Sequence, residues 1–415
     1  MYTQSADSFT NKIAVIGGGP AGMMAAGTAS MLGADVVIFE GTDRLGKKLA
    51  ITGKGRCNVT NDSTVSEFLE NVTKNPKFLY AALNTLTPAE TITLFESLGV
   101  PLKTERGKRV FPVSDKAKDI VDAMRSYSSG AETVYKKVTS IKYDAGIFYI
   151  TAGNNEYTFN KVIIATGGKS YPLTGSDGSG YKLAKKLGHT VTELTPSLIP
   201  IESESPLCKE MQGLSLKNVG ITVKNSNDKT LYTDFGEMMF THFGVTGPVI
   251  LSASSHIRNV DVSELKLFID LKPALDENTL DARLLSDFSK NSNKDFINAL
   301  GDLLPSKMIL PFVKYTGIDG RKKVNSISRE ERKKILFSLK GLEIPLSAFR
   351  PIEEAIITSG GIDVKEITPK TMESKIVPGL YFAGEIIDTD AYTGGFNLQI
   401  AFSTGYLAGK SAAET

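Results

Sequence analysis

The chain has 415 residues, 41% hydrophobic and 23% charged, which is room for two or three domains with full cores. A net charge of +2 gives no general electrostatic case for nucleic acid or an anionic membrane. Two cysteines (Cys57, Cys208) and three histidines (His189, His242, His256) exclude a disulfide framework and a cysteine–histidine metal cluster, and they fit a reducing compartment.

The first twelve residues are polar and lack the apolar core of a secretion signal. No apolar run reaches the roughly 18 residues that cross a bilayer, so a cytoplasmic protein is expected. Residues 12–16, KIAVI, are a short apolar run suited to a buried parallel strand. Gly17-Gly18-Gly19-Pro20-Ala21-Gly22 follows and opens a small-residue helix over 21–32, with Gly33 where a cap glycine belongs. A second apolar run at 36–39 ends in Glu40 and Gly41. This βαβ unit carries a G-x-G-x-x-G turn. Gly17 permits the turn, Gly19 lets the backbone approach a pyrophosphate, and Gly22 lets the helix lie on the strand. Phosphates would meet the helix N-terminus at Pro20 and Ala21. Glu40 stands where a carboxylate accepts from a ribose diol. A dinucleotide site follows, FAD or NAD.

Residues 46–61, GKKLAITGKGRCNVTN, should then run along the dinucleotide. Gly53 permits close backbone approach, with Thr52 and Asn58 beside it. Lys47, Lys48 and Arg56 could neutralise phosphate or an anionic reduced ring. Cys57 reads as a redox thiol or as small packing. Without a resolving partner, packing is favoured. From 133 to 166 short strands joined by turns predict a meander inserted into a parallel fold, with Val138 beside the cofactor. KVIIATGG, containing Ala165, Thr166 and Gly167, returns to the central sheet.

Residues 191–349 change character, with strands to about 250 and a charged helical part over about 276–340. The dinucleotide domain is therefore expected over 1–190 and 350–415, with 191–349 as an insert. In FTHFGVTGP at 240–248, His242 is either a proton donor to substrate or a packed histidine. His189 and His256 read as surface residues. The basic runs 321–323 and 331–334 are interleaved with glutamates and read as a solvated helix face.

Glycine-rich texture resumes at Gly360. GLYFAGE at 379–385, with Gly384, Glu385 and later Asp388, matches a second flavin fingerprint that reaches the ribityl chain. Tyr392 precedes Gly394 and Gly395, and Asn397, Leu398 and Gln399 open a small-residue helix. Amides there would face the flavin pyrimidine edge, where reduction places negative charge. These segments, in this order at opposite ends of the chain, select FAD. With one G-x-G-x-x-G only, any NAD(P)H is expected to be a transient donor that visits the flavin and leaves, or another reductant is used.

GKKLAITGKGRCNVTN, FTHFGVTGP, TSGGIDVKEITPKTMESK and PGLYFAGEIIDTDAYTGGFNLQIAFSTG together resemble the aminoacetone-oxidase-like flavoproteins of the YhiN and BaiN type. The resemblance implies an α/β fold: a Rossmann-type, glutathione-reductase-like FAD domain built from both chain ends, with an inserted β-barrel plus helical domain. It also implies an NAD(P)/FAD-dependent oxidoreductase, and for the BaiN type reduction of enone double bonds. The run at 175–189 looks like the fumarate-reductase group as well. The expectation is a reductase delivering hydride from non-covalent FAD to an activated C=C bond of a small molecule, with His242 or Tyr392 supplying the proton. The alternatives are an oxidase of an amine or hydroxy substrate using oxygen, and a flavin-sensing or RNA-associated protein. Neither a nucleic acid nor a membrane is an expected partner.

Overall fold

The computed structural model describes residues 11–415, so most of the polar N-terminal segment lies outside the described residues. The chain forms two compact units: one runs to Pro196 and resumes over Ile352–Thr415, and the other is Ser197–Pro351. Among the described residues no helix is long and apolar enough to cross a membrane.

The first unit is organised by a five-stranded sheet. Its strands are β1 (Lys12–Ile16), β2 (Asp35–Phe39), β3 (Glu132–Val134), β7 (Lys161–Ile164) and β8 (Leu380–Phe382), in the order β8-β7-β1-β2-β3. All neighbours are parallel, with Val15 opposite Ile163 and Ile38. Such a sheet is covered on both faces, which is why β1 and β7 read as continuous apolar runs rather than alternating ones. Ile13, Val15, Ile38, Ile163 and Phe382 are fully buried.

Helix α1 (Pro20–Met31) packs against the C-terminal helix α4 (Phe396–Glu414). A Cβ at Gly405 would fall 2.4 Å from Ala21 O, and one at Gly409 would fall 2.2 Å from Ala25 O. The two backbones touch because these positions carry no side chain. The meander is present as β4 (Val138–Asp144), β5 (Ile147–Ala152) and β6 (Asn155–Phe159), each antiparallel to the next.

The second unit holds seven antiparallel strands in the order Leu342–Pro345, Lys266–Asp270, Ser215–Lys224, Thr230–Phe240, Gly244–Thr246, Ile201–Glu202, Ala348–Phe349. Helices Pro248–Ile257, Glu277–Lys290, α2 (Ser306–Thr316) and α3 (Arg329–Lys340) accompany them. The core of this unit is its own, built on residues such as Val223, Phe240, Ile269, Phe312 and Leu339.

Candidate functional site

The site begins at the turn after β1. Gly17 takes φ +104, and a Cβ there would lie 2.5 Å from Ala165 O. A Cβ at Gly22 would lie 1.8 Å from Gly17 O, so both glycines are demanded by close approach. Gly19 faces open space: a Cβ there would have no heavy atom within 4 Å. Pro20 begins α1 at its first position, where the missing N–H costs nothing. A space in front of a helix N-terminus is suited to an anion.

Glu40 is buried at the end of β2. Its carboxylate accepts from Gly18 N–H at 2.8 Å and from Thr42 N–H at 2.7 Å. A carboxylate accommodates about four hydrogen bonds, so two backbone donors leave acceptor capacity for hydroxyls. Gly175 closes over it, since a Cβ there would sit 3.7 Å from Glu40 Oε1. Nearby, Thr166 Oγ1 and Ser176 Oγ are buried with no hydrogen-bond partner among the described residues, and a Cβ on Gly167 would lie 2.8 Å from Ser176 Oγ. Asn58 Oδ1 is a third such atom. A bound polar ligand removes the cost of these orphans. The residues present therefore fit a dinucleotide.

The segment 46–61 leaves this end and connects it to the start of α4. Gly46 N–H donates to Gly18 O at 2.9 Å. Lys48 Nζ then lies 2.8 Å from both Glu385 Oε2 and Ser170 Oγ. Glu385 Oε1 accepts from Thr358 N–H at 2.8 Å. Gly384, at φ +76, donates its N–H to Thr404 Oγ1 on α4. At the far end, a Cβ on Gly395 would lie 2.2 Å from Thr60 O, and Asn61 Nδ2 donates to Gly394 O at 3.1 Å.

Several expected contacts fall elsewhere. Arg56 is held by Glu105 and Asp115, each at 2.5 Å, and lies over the Phe111 ring at 4.2 Å. Those carboxylates raise its already high pKa, Glu105 foremost, and its charge is neutralised locally rather than offered to a phosphate. Lys47 pairs with the exposed Asp43 at 3.0 Å. Thr52 Oγ1 donates to Leu49 O in the turn that carries Gly53 at φ +56. Gln399 points inward: its Oε1 accepts from Thr60 Oγ1 at 2.6 Å, and its Nε2 donates to Leu86 O and Thr91 Oγ1. Its amide anchors the first turn of α4 and is satisfied by protein alone. Asn397 likewise clamps Ala391, accepting its N–H at 3.1 Å and donating to its O at 2.7 Å. Leu398 beside it is half-buried.

Cys57 is fully buried, and burial pushes its thiol up to about 12, so packing describes it and a reactive thiolate does not. Val138 is buried at the head of β4, and a Cβ at Gly41 would lie 3.5 Å from the Lys137 side chain. Tyr392 is half-buried, its N–H donating to Asn71 O at 3.0 Å. His242 is exposed in the second unit, edge-on to Phe243 at 5.0 Å. The Phe243 ring also carries the Arg350 guanidinium at 4.7 Å, which is 2.8 Å from Glu202. His189 is not a surface residue. It is buried, with Nε2 2.8 Å from Ser374 Oγ and its ring against Phe382 at 4.8 Å, because residue 189 turns back under β8. His256 is exposed and stacks on Tyr232.

Sequence reasoning missed Ser170, Ser176 and Thr358, which carry no signature beyond the glycines around them. It also missed Lys74, whose Nζ lies 2.7 Å from the buried Asp388. Tyr181 is held above the usual phenol range by burial first, then by Glu385 and Asp388.

A parallel sheet with this glycine turn, this buried carboxylate and a second glycine-led helix from the chain's far end defines an FAD-dependent oxidoreductase of Rossmann type. The chain belongs to the HI0933-like protein Rossmann domain family, whose model matches residues 11–411. It is 29% identical to the 3-dehydro-bile acid delta(4,6)-reductase of Clostridium scindens, over 97% of this chain and 99% of that one. It is 28% identical to the ribosomal RNA dihydrouridine synthase of Escherichia coli, over 94% and 95%. Among solved structures, the open conformation of a flavocytochrome c3 fumarate reductase shares the fold. Its TM-score is 0.53 at 16% identity, over 99% of this chain and 79% of that one.

Proposed function

We propose that this flavoprotein saturates a carbon–carbon double bond conjugated to a carbonyl, with NAD(P)H as a transient electron donor. The observation that carries the reading is end-to-end similarity to two relatives of different substrate. Both names describe that one reaction, on a dienone in one case and on a uracil ring in the other. FAD, when bound, supplies hydride transfer. The chain's own residues bind, orient and protonate. Glu40 accepts from the ribose hydroxyls, and the backbone N–H groups of Gly19 and Ala21, on either side of Pro20 at the start of α1, face the phosphates. Thr166 and Ser176 gain the partners they lack.

The N-terminus of α4, behind Gly394 and Gly395, presents first-turn amides without intrahelical acceptors toward developing negative charge. Gln399 and Asn397 hold that turn in place. Tyr392 is the proton donor favoured by position, since it sits on the segment entering α4, and His242 is the second candidate.

The test is anaerobic turnover with NADPH or NADH and a conjugated enone, with product identified by mass. The reading expects a gain of two hydrogens at the conjugated bond. Consumption of NAD(P)H only when oxygen is admitted, with peroxide formed, would overturn it.

A further inference from the structure

Positive charge is segregated in this chain. Residues 306–345 hold ten Lys and Arg against four Asp and Glu, while the rest of the chain holds 38 against 42. Part of that charge is paired: Lys314 with Glu210, Lys322 with Glu331, Arg332 with Asp281 and Lys340 with Asp270. Arg329, Lys333 and Lys334 form no ion pair among the described residues. Lys333 and Lys334 line an open cavity of about 480 Å³ together with Tyr315, Glu330 and Phe337. Phe337 is 55% exposed and Tyr315 37%. The Tyr315 hydroxyl accepts the Glu343 N–H at 3.2 Å, which fixes the ring before any ligand arrives.

Two exposed aromatic rings beside unpaired ammonium groups are what a single strand of nucleic acid needs. Every base has a face to stack on a ring, and the backbone supplies anions at short intervals. Glu330 in the same cavity is an acceptor that base N–H groups can donate to. We infer that this face of the second unit binds single-stranded RNA, with bases on Phe337 and Tyr315 and phosphates on Lys333 and Lys334. This replaces the expectation of a merely solvated helix face. It rests on the reductase reading only in that a uracil ring within RNA offers the conjugated bond.

The experiment is fluorescence anisotropy of the FAD-loaded, oxidised protein with a labelled uridine-rich RNA of about 20 nucleotides, titrated at several salt concentrations. The parent should bind with affinity falling linearly in log salt. Lys333→Ala with Lys334→Ala should reduce the slope by about 1.4. Phe337→Ala should weaken binding on the order of 10-fold with the slope unchanged. Flavin content and melting midpoint, measured alongside, should match the parent because these side chains are exposed. No binding at low salt, or equal binding by parent and variants, overturns the inference. So does displacement by phosphatidylglycerol vesicles with Phe337→Ala neutral, which marks a general anion surface. Because no reductant is present, failure here leaves the reductase reading standing. RNA binding by a protein whose flavin no conjugated bond reoxidises would sink that reading alone.

Discussion

Lys48 and Glu385 meet at 2.8 Å although 337 positions separate them, and the contact ties the glycine-rich segment after β2 to the turn after β8. Each side chain is about one-fifth exposed, at 21% and 20%. Glu385 takes further hydrogen bonds from Thr358 N–H and Ser170 Oγ, so its carboxylate is fixed from three directions.

Removing the cation should leave that carboxylate short of a partner. Lys48→Met is expected to weaken FAD retention on the order of 10-fold, with a stability loss of about 1 kcal/mol after allowance for solvent screening. Flavin fluorescence on dilution reads the first, and urea melts of the apoprotein read the second. Lys48→Arg should recover most of both.

Glu40→Gln should act differently. The amide oxygen can still accept one of the two backbone N–H groups, but the charged acceptor for a ribose diol is gone. FAD affinity should fall about 10- to 100-fold while the apoprotein melts within a few degrees of the parent. Equal loss of apoprotein stability would make Glu40 a structural cap instead.

Gln399→Leu should be a stability variant. The side chain is fully buried and its partners Thr60, Leu86 and Thr91 would be stranded. A cost of about 2–4 kcal/mol is expected in denaturant melts. FAD affinity should follow only as far as the first turn of α4 frays.

Acid should destabilise the first unit through His189. Burial lowers its folded pKa below the ordinary value, so the folded state disfavours the charged ring. The unfolded chain then binds more protons as pH falls through about 6.5. The contribution is fully present above that pH and is lost below it, toward the lower folded value. His189→Gln keeps an acceptor for Ser374 without titrating. Its urea midpoint should vary less than the parent's between about pH 7.5 and pH 5. Identical profiles would show that His189 does not set the acid limb. His256, held below the ordinary value by partial desolvation first and then by Arg258, belongs to the other unit and contributes in the same direction.

Neither cysteine should react with a disulfide reagent in the native protein at about pH 8. Burial pushes Cys57 up to about 12 and Cys208 up to about 11, so thiolate is scarce as well as covered. Both should titrate in urea.

The parts legible in sequence were those set by local rules. Gly17, Gly22 and Gly395 announce backbone contacts that admit no Cβ, and KIAVI and KVII announce strands buried on both faces. What stayed hidden depends on which distant side chain arrives first. Arg56 is basic in a glycine-rich loop, yet Glu105 and Asp115 take its charge. Gln399 stands at a helix start, yet Thr60 and Thr91 turn it inward. His189 follows a charged helix end, yet Ser374 and Phe382 cover it. No spacing rule encodes these partners.

Whether the flavin reduces conjugated double bonds is decided by single-turnover reoxidation. Protein photoreduced without oxygen is mixed with a conjugated enone, with the isomer whose double bond is isolated from the carbonyl, and with oxygenated buffer. The oxidised flavin spectrum should return rapidly with the conjugated substrate, giving one saturated product per flavin, and should not return with the isolated alkene. A flavin that stays reduced with every conjugated double bond, including uridine in RNA, and reoxidises only in oxygen would contradict the proposed reaction.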